Sequence, residues 1–405
     1  MSKITLDLLL EASNPGGASC LTSVTELEPA AGPHASVAPA KFASPSSSNN
    51  KGVYAYERRF LDGTVCQAVI IDSKQSQLNR GEAALQQAIA DDHPTLSRLP
   101  RAEVRYERDD LVEEFSDLTL PHRIFDGHIR AGTVDGQPVT QLPAYRAVRN
   151  ATPANARALL DVSPVSLVFG SWDSSRASRQ GRWRSVLVGE IVGFCEDDKP
   201  ADRGGARVDP VGMQIQLGEA ELKALADSQR AELSAKTYDK VIKEAARAKN
   251  GKPVSASMLG LGGIPPTLDA LAGVACHRIV RSHVLSFATL RQIRFGAGTR
   301  GDAACRALLA ALALNALARS DAELYLRANC DLRERGLAVV EIDQRGGARL
   351  TLDPLSVADA DALLDAALAT AEEGAGVTWN GVTLRVKGNP AIVAGAVADE
   401  DGAGS

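Results

Sequence analysis

Residues 68–91 read AVIIDSKQSQLNRGEAALQQAIAD. An apolar run ends at Ile71, seven hydrogen-bonding residues (Asp72, Ser73, Gln75, Ser76, Gln77, Asn79 and Arg80) crowd in behind it, and an apolar pattern resumes. The run predicts a buried strand. The resumed pattern, with Leu78, Leu85 and Ile89 on one face, predicts a helix. Asp72 is the expected helix cap, with Gln75 completing a capping-box pattern, and Gly81 would permit close approach of another backbone. Upstream, SCLTSVTELEP (19–29) reads as a first strand. VYAYERRF and TVCQAVII flank LDG, a hairpin signal. Downstream, RAEVRYE is a short strand, and LPHRIFDGHIRAG (120–132) is a possible helix with His122 and Arg123 at its start. ATPANARALLDVS is a helix, PVSLVFGSWDSS a buried strand ending in a polar turn, and SVLVGEIVGF a strand. HRIVRSHVLSFATLRQIRFG is strand then helix, ALLAALALNALARSDAEL a core helix, and YLRANCDLRERGLAVVEID further loop and strand.

Several stretches break the alternation. Residues 30–52 form a long loop rich in Ala, Pro, Ser and Asn, of a length that is usually functional or disordered. Composition shifts near residue 196, and 196–251 reads as a charged helical insertion. MLGLGGIPPTLDALAGVA (258–275) is rich in Gly and Pro and is expected to be a flexible excursion. The expected plan is 19–195 and 276–350 as one body, 252–275 as an excursion from it, 351–396 as a C-terminal segment, and 397–405 as a disordered acidic tail. Clean strand–helix units are too few for a doubly wound sheet. The fold class is therefore α+β, with an antiparallel sheet and helices on one face.

With 405 residues and 44% apolar composition, the chain can bury a sizeable core. Its six cysteines are far apart with no CxxC pair, which points to reduced, mostly buried thiols. The N-terminus MSKITLDLLLEAS lacks a signal-peptide core. No apolar run reaches the length of a membrane span, and CRALLAALALNALA (305–318) reads as a buried helix. A cytoplasmic protein with no membrane partner is expected. The net charge of −5 is unevenly spread: residues 171–184 hold four arginines and one acid, and 277–306 six arginines and one acid. Such local patches matter more than the total for a polyanionic partner.

Enzyme signatures are missing. There is no P-loop, HExxH or GxSxG, and LGLGG (259–263) runs into Ile264-Pro265-Pro266 rather than a helix. His277 and His283 lack accompanying carboxylates. Asp126 with His128, and Asp173, could support acid–base chemistry or serve structural hydrogen bonding. What remains is a set of polar turns interleaved with arginine at 72–80, 121–130, 171–184 and 291–300. Turns of this kind can hold a sugar–phosphate chain without reading bases. Phe42, Trp172 and Trp183 could stack on bases or pack internally.

The order of several blocks resembles the backbone subunit of the type I-G (formerly I-U) CRISPR Cascade effector complex, a RAMP-superfamily protein. The blocks are VYAYERRFLDGTVCQAVIIDSKQSQLNRGEAAL, LPHRIFDGHIR, LLDVSPVSLVFGSWDSSR, GRWRSVLVGEIVGF, VLSFATLRQIRF and CRALLAALAL. The 196–251 insertion and the acidic tail fall outside the pattern. The resemblance implies a modified RRM-like (ferredoxin-like) palm with a finger-like helical insertion and a thumb over 252–275. Copies of the chain would line up on a CRISPR RNA with other subunits of the complex and hold the guide–target DNA heteroduplex. It implies no cofactor, metal or catalysis. Ser73, Gln75, Ser76, Asn79 and Arg80 would lie near guide phosphates or riboses. His122, Arg123, Ser171 and Trp172 would extend the track. Arg176, Arg179, Arg182 and Arg184, with Arg291 and Arg294, would meet the guide, the target strand or a neighbouring subunit. Met258 and Leu259 would wedge between bases. Two other readings stay open: a RAMP subunit that cleaves RNA through a loop aspartate and a metal (Asp126, Asp173 or Asp269), and a protein-interaction scaffold.

Overall fold

The computed structural model describes residues 2–43, 52–108, 111–178, 180–198, 200–248 and 252–395. They divide into two compact units, one from Met1–Asp198 with Ala275–Ala396 and one built on Lys199–Val274.

The first unit is organised by one large sheet. Its strands are β1 (Cys20–Pro29), β2 (Tyr56–Leu61), β3 (Thr64–Asp72), β4 (Leu187–Cys195), β5 (Arg278–Ser286), β6 (Leu332–Glu334), β7 (Val339–Asp343) and β8 (Arg349–Leu352). Their order is β8-β7-β1-β5-β4-β3-β2, with β6 also paired to β1. Every pair is antiparallel. The period-2 pattern sets its faces. In β5, Ile279, Arg281, His283 and Leu285 are buried and the alternate residues half-buried. Register places Leu21 and Leu187 on either side of Leu285. The β2–β3 hairpin turns at Asp62 and Gly63, both with positive φ (49° and 82°), as the Asp-Gly signal requires.

Four longer helices complete the core: α1 (Leu6–Ser13), α2 (Lys74–Ala90), α3 (Gly298–Glu323) and α4 (Val357–Ala375). α3 is buried without a break from Gly301 to Ala318, and α1, α2 and α4 pack against it. A helix apolar all round must be a core element or a membrane span. At 26 residues α3 is longer than the apolar run 305–318 suggested, and by length and composition it could cross a membrane. Its apolar window is wholly buried within the fold, so it serves as the core helix. α2 buries Leu78, Leu85 and Ile89 as expected. A Cβ at Gly81 would meet Phe169 at 3.4 Å and Ala316 at 3.5 Å, ordinary contacts, so no close approach demands glycine there.

Several local expectations change. Ser73, not Asp72, caps α2: its side chain accepts the Ser76 N–H at 3.3 Å, while Asp72 is the last residue of β3. PVSLVFGSWDSS is chiefly a buried helical turn, Val165–Val168, with extended structure only at Ser171–Trp172. A short apolar run cannot distinguish a buried turn from a strand by periodicity. The stretch 120–132 forms two single turns, Arg123–Phe125 and Gly127–Arg130, broken where Asp126 is extended and caps the second. After β5 only Phe287–Leu290 is helical before α3. A second sheet contains Arg101–Arg108, Leu111–Ser116, Thr133–Val134, Gln137–Pro138 and Val382–Lys387. It includes one parallel pair, Val382–Lys387 with Arg101–Arg108, so the strands are not antiparallel throughout.

In the second unit Ala201–Arg207 pairs antiparallel with Ile264–Gly273, and Gln216–Leu217 with Val254–Ser255. Helices Glu219–Ser228 and Ala235–Ala245 bury Leu222, Ala226, Val241 and Ala245 in a small core of their own with Ala256. The charged insertion and the Gly/Pro-rich stretch thus belong to one unit. The stretch expected to be a flexible excursion is a strand for ten residues. Pro265 and Pro266 fall between Ile264, opposite Arg207, and Thr267, opposite Gly205, where the pairing shifts register and prolines are accommodated. The tail 397–405 lies outside the described residues.

Candidate nucleic-acid interface

The polar cluster at 72–80 is built around Asp72. Its carboxylate is fully buried and accepts from Ser76 Oγ (2.9 Å), Gln77 Nε2 (2.6 Å), Arg80 Nε (2.9 Å) and Arg80 Nη2 (3.1 Å), and from Arg327 Nη2. Burial alone would raise the Asp72 carboxyl's pKa. The bonds from Arg80 and Gln77 and the charges of Arg80 and Arg327 outweigh it, and the value falls. Arg80 also donates to the carbonyls of Tyr325 and Leu326, and Arg327 to that of Ile71 at 2.6 Å. The segment after α3 is thereby fastened to the start of α2.

Gln77 extends this buried chain to His283 of β5, whose Nε2 lies 3.1 Å from Gln77 Oε1. Burial, helped by Arg281, pushes His283 down to about 3, so its ring is neutral. Gly189 stands opposite His283 in β4; a Cβ there would lie 1.9 Å from the ring.

Arg123 ties the next turn to α2. It has a left-handed backbone (φ 50°) and a half-buried side chain. Its Nε and Nη2 donate to both oxygens of buried Glu82, Nη1 donates to the Gly170 carbonyl at 2.8 Å, and the guanidinium lies 5.8 Å from the Phe169 ring centroid. Burial pushes the Glu82 carboxyl up, with Arg123 pulling the other way.

Beyond Gly170, Ser171–Trp172 pairs with Arg182–Trp183. Ser171 is buried and donates to the Ser166 carbonyl. Trp183 is buried too, and packs. Trp172 is 45% exposed, and the Arg182 guanidinium lies 5.3 Å from its ring centroid. Arg176 bonds the Arg149 carbonyl and Asn150 Oδ1. Arg184 is exposed, and Arg179 lies outside the described residues.

Three of the four polar turns, 72–80, 121–130 and 171–184, are thus linked through α2, whose Glu82 holds Arg123, and through Arg123's bond to the Gly170 carbonyl. The fourth has other partners. Arg291 Nη1 donates to the Ala12 and Ala18 carbonyls at 2.6 Å, and Arg294 is exposed while its backbone bonds Pro153 and Ala156. In the second unit Met258 is exposed and Leu259 packs against the small core. Phe42 is 37% exposed and pairs with Val53.

The expected site residues therefore fall into two groups. Ser73, Ser76, Arg80, Arg123, Ser171, Arg176 and Arg291 make internal bonds. Gln75, Asn79, His122, Trp172, Arg182, Arg184 and Arg294 are exposed. Lys74, Tyr325 and Arg327 were not singled out from the sequence. Lys74 stood within the polar cluster and could have been. Arg327 lies 255 residues from Asp72, and no local pattern connects them.

The two testable loop aspartates are engaged. Asp126 is buried and accepts the His122 and His128 N–H groups at 3.1 and 2.9 Å. Asp173 is buried against Arg149 at 2.8 Å. Asp269 lies in the strand Ile264–Gly273. Among the described residues, no three His, Cys, Asp or Glu side chains converge in a way that could hold a metal ion.

Residues 21–196 match the family model described as CRISPR-associated protein GSU0053. The match runs from β1 to the end of β4 and includes α2 and the three linked turns. No curated protein matches the chain.

Proposed function

We propose, from the match of residues 21–196 to a CRISPR-associated family model, that this chain is the backbone subunit of a type I-G Cascade surveillance complex. In this reading several copies polymerise along one CRISPR RNA in the cytoplasm, beside other subunits, and hold the guide–target DNA heteroduplex without catalysis of their own. The strand order β7-β1-β5-β4, with α2 between β1 and β4 and α3 between β5 and β7, supports an RRM-like, ferredoxin-like palm. The hairpin β2–β3 and strand β8 are additions at its two edges.

The observation that carries the reading is the coupling of α2, the turn at 122–126 and the start of the ribbon 171–183 by Arg123, which pairs with buried Glu82 and donates to the Gly170 carbonyl while other polar side chains stay outward. The N-terminus of α2 offers N–H groups and a positive dipole end to phosphate. Lys74, Gln75, Asn79, His122, Trp172, Arg182 and Arg184 would meet the guide. Asp72, Arg80, Glu82 and Arg123 would hold them in place. Met258 would be the thumb wedge, with Leu259 as its anchor. The engagement of Asp126 and Asp173 by internal donors supports a non-catalytic role.

The test is expression with a CRISPR array and the other complex subunits, followed by RNA sequencing and particle sizing. Discrete CRISPR RNA in a large multi-copy particle is expected. A nucleic-acid-free monomer with those subunits present would overturn the reading in favour of a protein-interaction scaffold. Metal-dependent cleavage of complementary RNA, lost on mutating Asp269, would overturn it in favour of an enzyme.

A further inference from the structure

α3 ends at Glu323, and Leu324 follows in the left-handed region at φ 42°, ψ 33°. A bulky non-glycine residue there is an outlier, and such strain persists only where surrounding structure imposes it. The imposing contacts come next in the chain. Arg80 grips the carbonyls of Tyr325 and Leu326, Leu326 is buried, and Arg327 is held by Asp72 and the Ile71 carbonyl. Immediately before these fixed points Tyr325 is 78% exposed.

An exposed aromatic on its own is unremarkable. Here Arg80 holds the carbonyl, Arg327 two residues on is held by the same fully buried carboxylate that binds Arg80, and Tyr325 follows directly on a left-handed residue. Its carbonyl rests on Arg80, so it sits beside the first turns of α2, where Lys74, Gln75 and Asn79 are exposed. A ring on a fixed backbone has little freedom left to lose when it stacks.

We propose that Tyr325 is a stacking platform for one unpaired nucleobase of a single-stranded RNA whose sugar–phosphate chain runs over the start of α2. Every base has a π face, so the subsite is indifferent to base identity. The inference rests on the RNA-binding reading above and adds to it a subsite in the stretch beyond residue 196.

The test is fluorescence anisotropy of labelled single-stranded RNAs with the full chain and its Tyr325→Ala, Tyr325→Leu and Tyr325→Phe variants. Stacking contributes about 1–3 kcal/mol per base, so the Ala and Leu variants are expected to bind roughly 5- to 150-fold more weakly. The Phe variant should stay within about twofold of the original, and the losses should be equal for uridine-rich and mixed sequences. The Leu variant keeps apolar bulk, so its loss cannot be ascribed to a collapsed surface, and thermal unfolding checks that all variants fold alike. Unchanged binding by the Ala variant would overturn the platform and leave the RNA-binding reading intact. A Phe variant as weak as Ala would overturn stacking in favour of a hydroxyl contact. An original chain that binds no RNA, alone or in the assembled complex, would overturn both.

Discussion

Glu82 and Arg123 form a bidentate ion pair, Nε to Oε1 at 2.5 Å and Nη2 to Oε2 at 2.7 Å, with both side chains largely out of water. The pair joins the third turn of α2 to a loop whose backbone is left-handed at Arg123. Removing one partner of a buried pair strands a charge, which costs about 3–5 kcal/mol. Glu82→Ala and Arg123→Ala should each lower the unfolding free energy measured in urea by that order, and the double variant should lose less than the sum. Additive losses would mean that the two side chains act independently.

Asp72 satisfies two arginines at once, so Asp72→Asn should destabilise the fold more than Arg80→Ala. Arg80→Ala should weaken RNA binding equally for unrelated sequences, and the unfolding midpoint should fall with it, because the turn and residues 325–326 lose their clamp. An unchanged midpoint with lost binding would instead make Arg80 a direct RNA contact. The Asp72 carboxyl's pKa is lowered in the fold. Its stabilisation is complete above the reference value of 3.8 and is lost as pH falls through the lower folded one. Acid titrations of the variant should lack that limb.

Gly189→Ala would put a methyl group 1.9 Å from the His283 ring. Overpacking of this kind typically costs about 1–3 kcal/mol. The loss should be partly recovered by adding His283→Ala, as read by thermal unfolding of the single and double variants.

Two buried groups should tilt stability with pH in opposite directions. Burial foremost pushes Asp117 up to about 7, so its contribution falls as pH rises from near 3.8 toward 7. His283 is pushed from 6.5 down to about 3, so its contribution is complete above 6.5 and falls as pH drops toward 3. Asp117→Asn should raise the urea midpoint at pH 8 relative to pH 5, compared with the original chain. His283→Gln should flatten the profile below pH 6.5.

Arg182, paired with Trp172 on the ribbon, and Arg184, just beyond its end, are exposed. Arg182→Ala and Arg184→Ala should leave unfolding midpoints unchanged, weaken RNA binding for all sequences, and each reduce the salt slope of binding by about 1 if it meets a phosphate. A sequence-selective loss would point to base reading instead.

The sequence by itself determined what short-range rules control. Alternation fixed β1 and β5, Asp62-Gly63 fixed the hairpin turn, and the apolar stretch 305–318 marked the core helix. It also located the polar cluster at 72–80. Only the tertiary structure decided which of those side chains face outward. Arg80 looks like its exposed neighbour Asn79 in the sequence, yet it turns inward because Asp72, Tyr325 and Leu326 offer it acceptors, and Arg327 completes the clamp from 255 residues away. Gly189 and Gly193 could be read as permissive strand positions, but their reason is the space taken by His283 and Cys276. Residues 201–207 and 264–273 looked like parts of separate excursions and are one ribbon. Periodicity and turn chemistry act over a few residues and so are written locally. Burial and ion pairing depend on which distant segments meet, and that is settled only when the chain closes on itself.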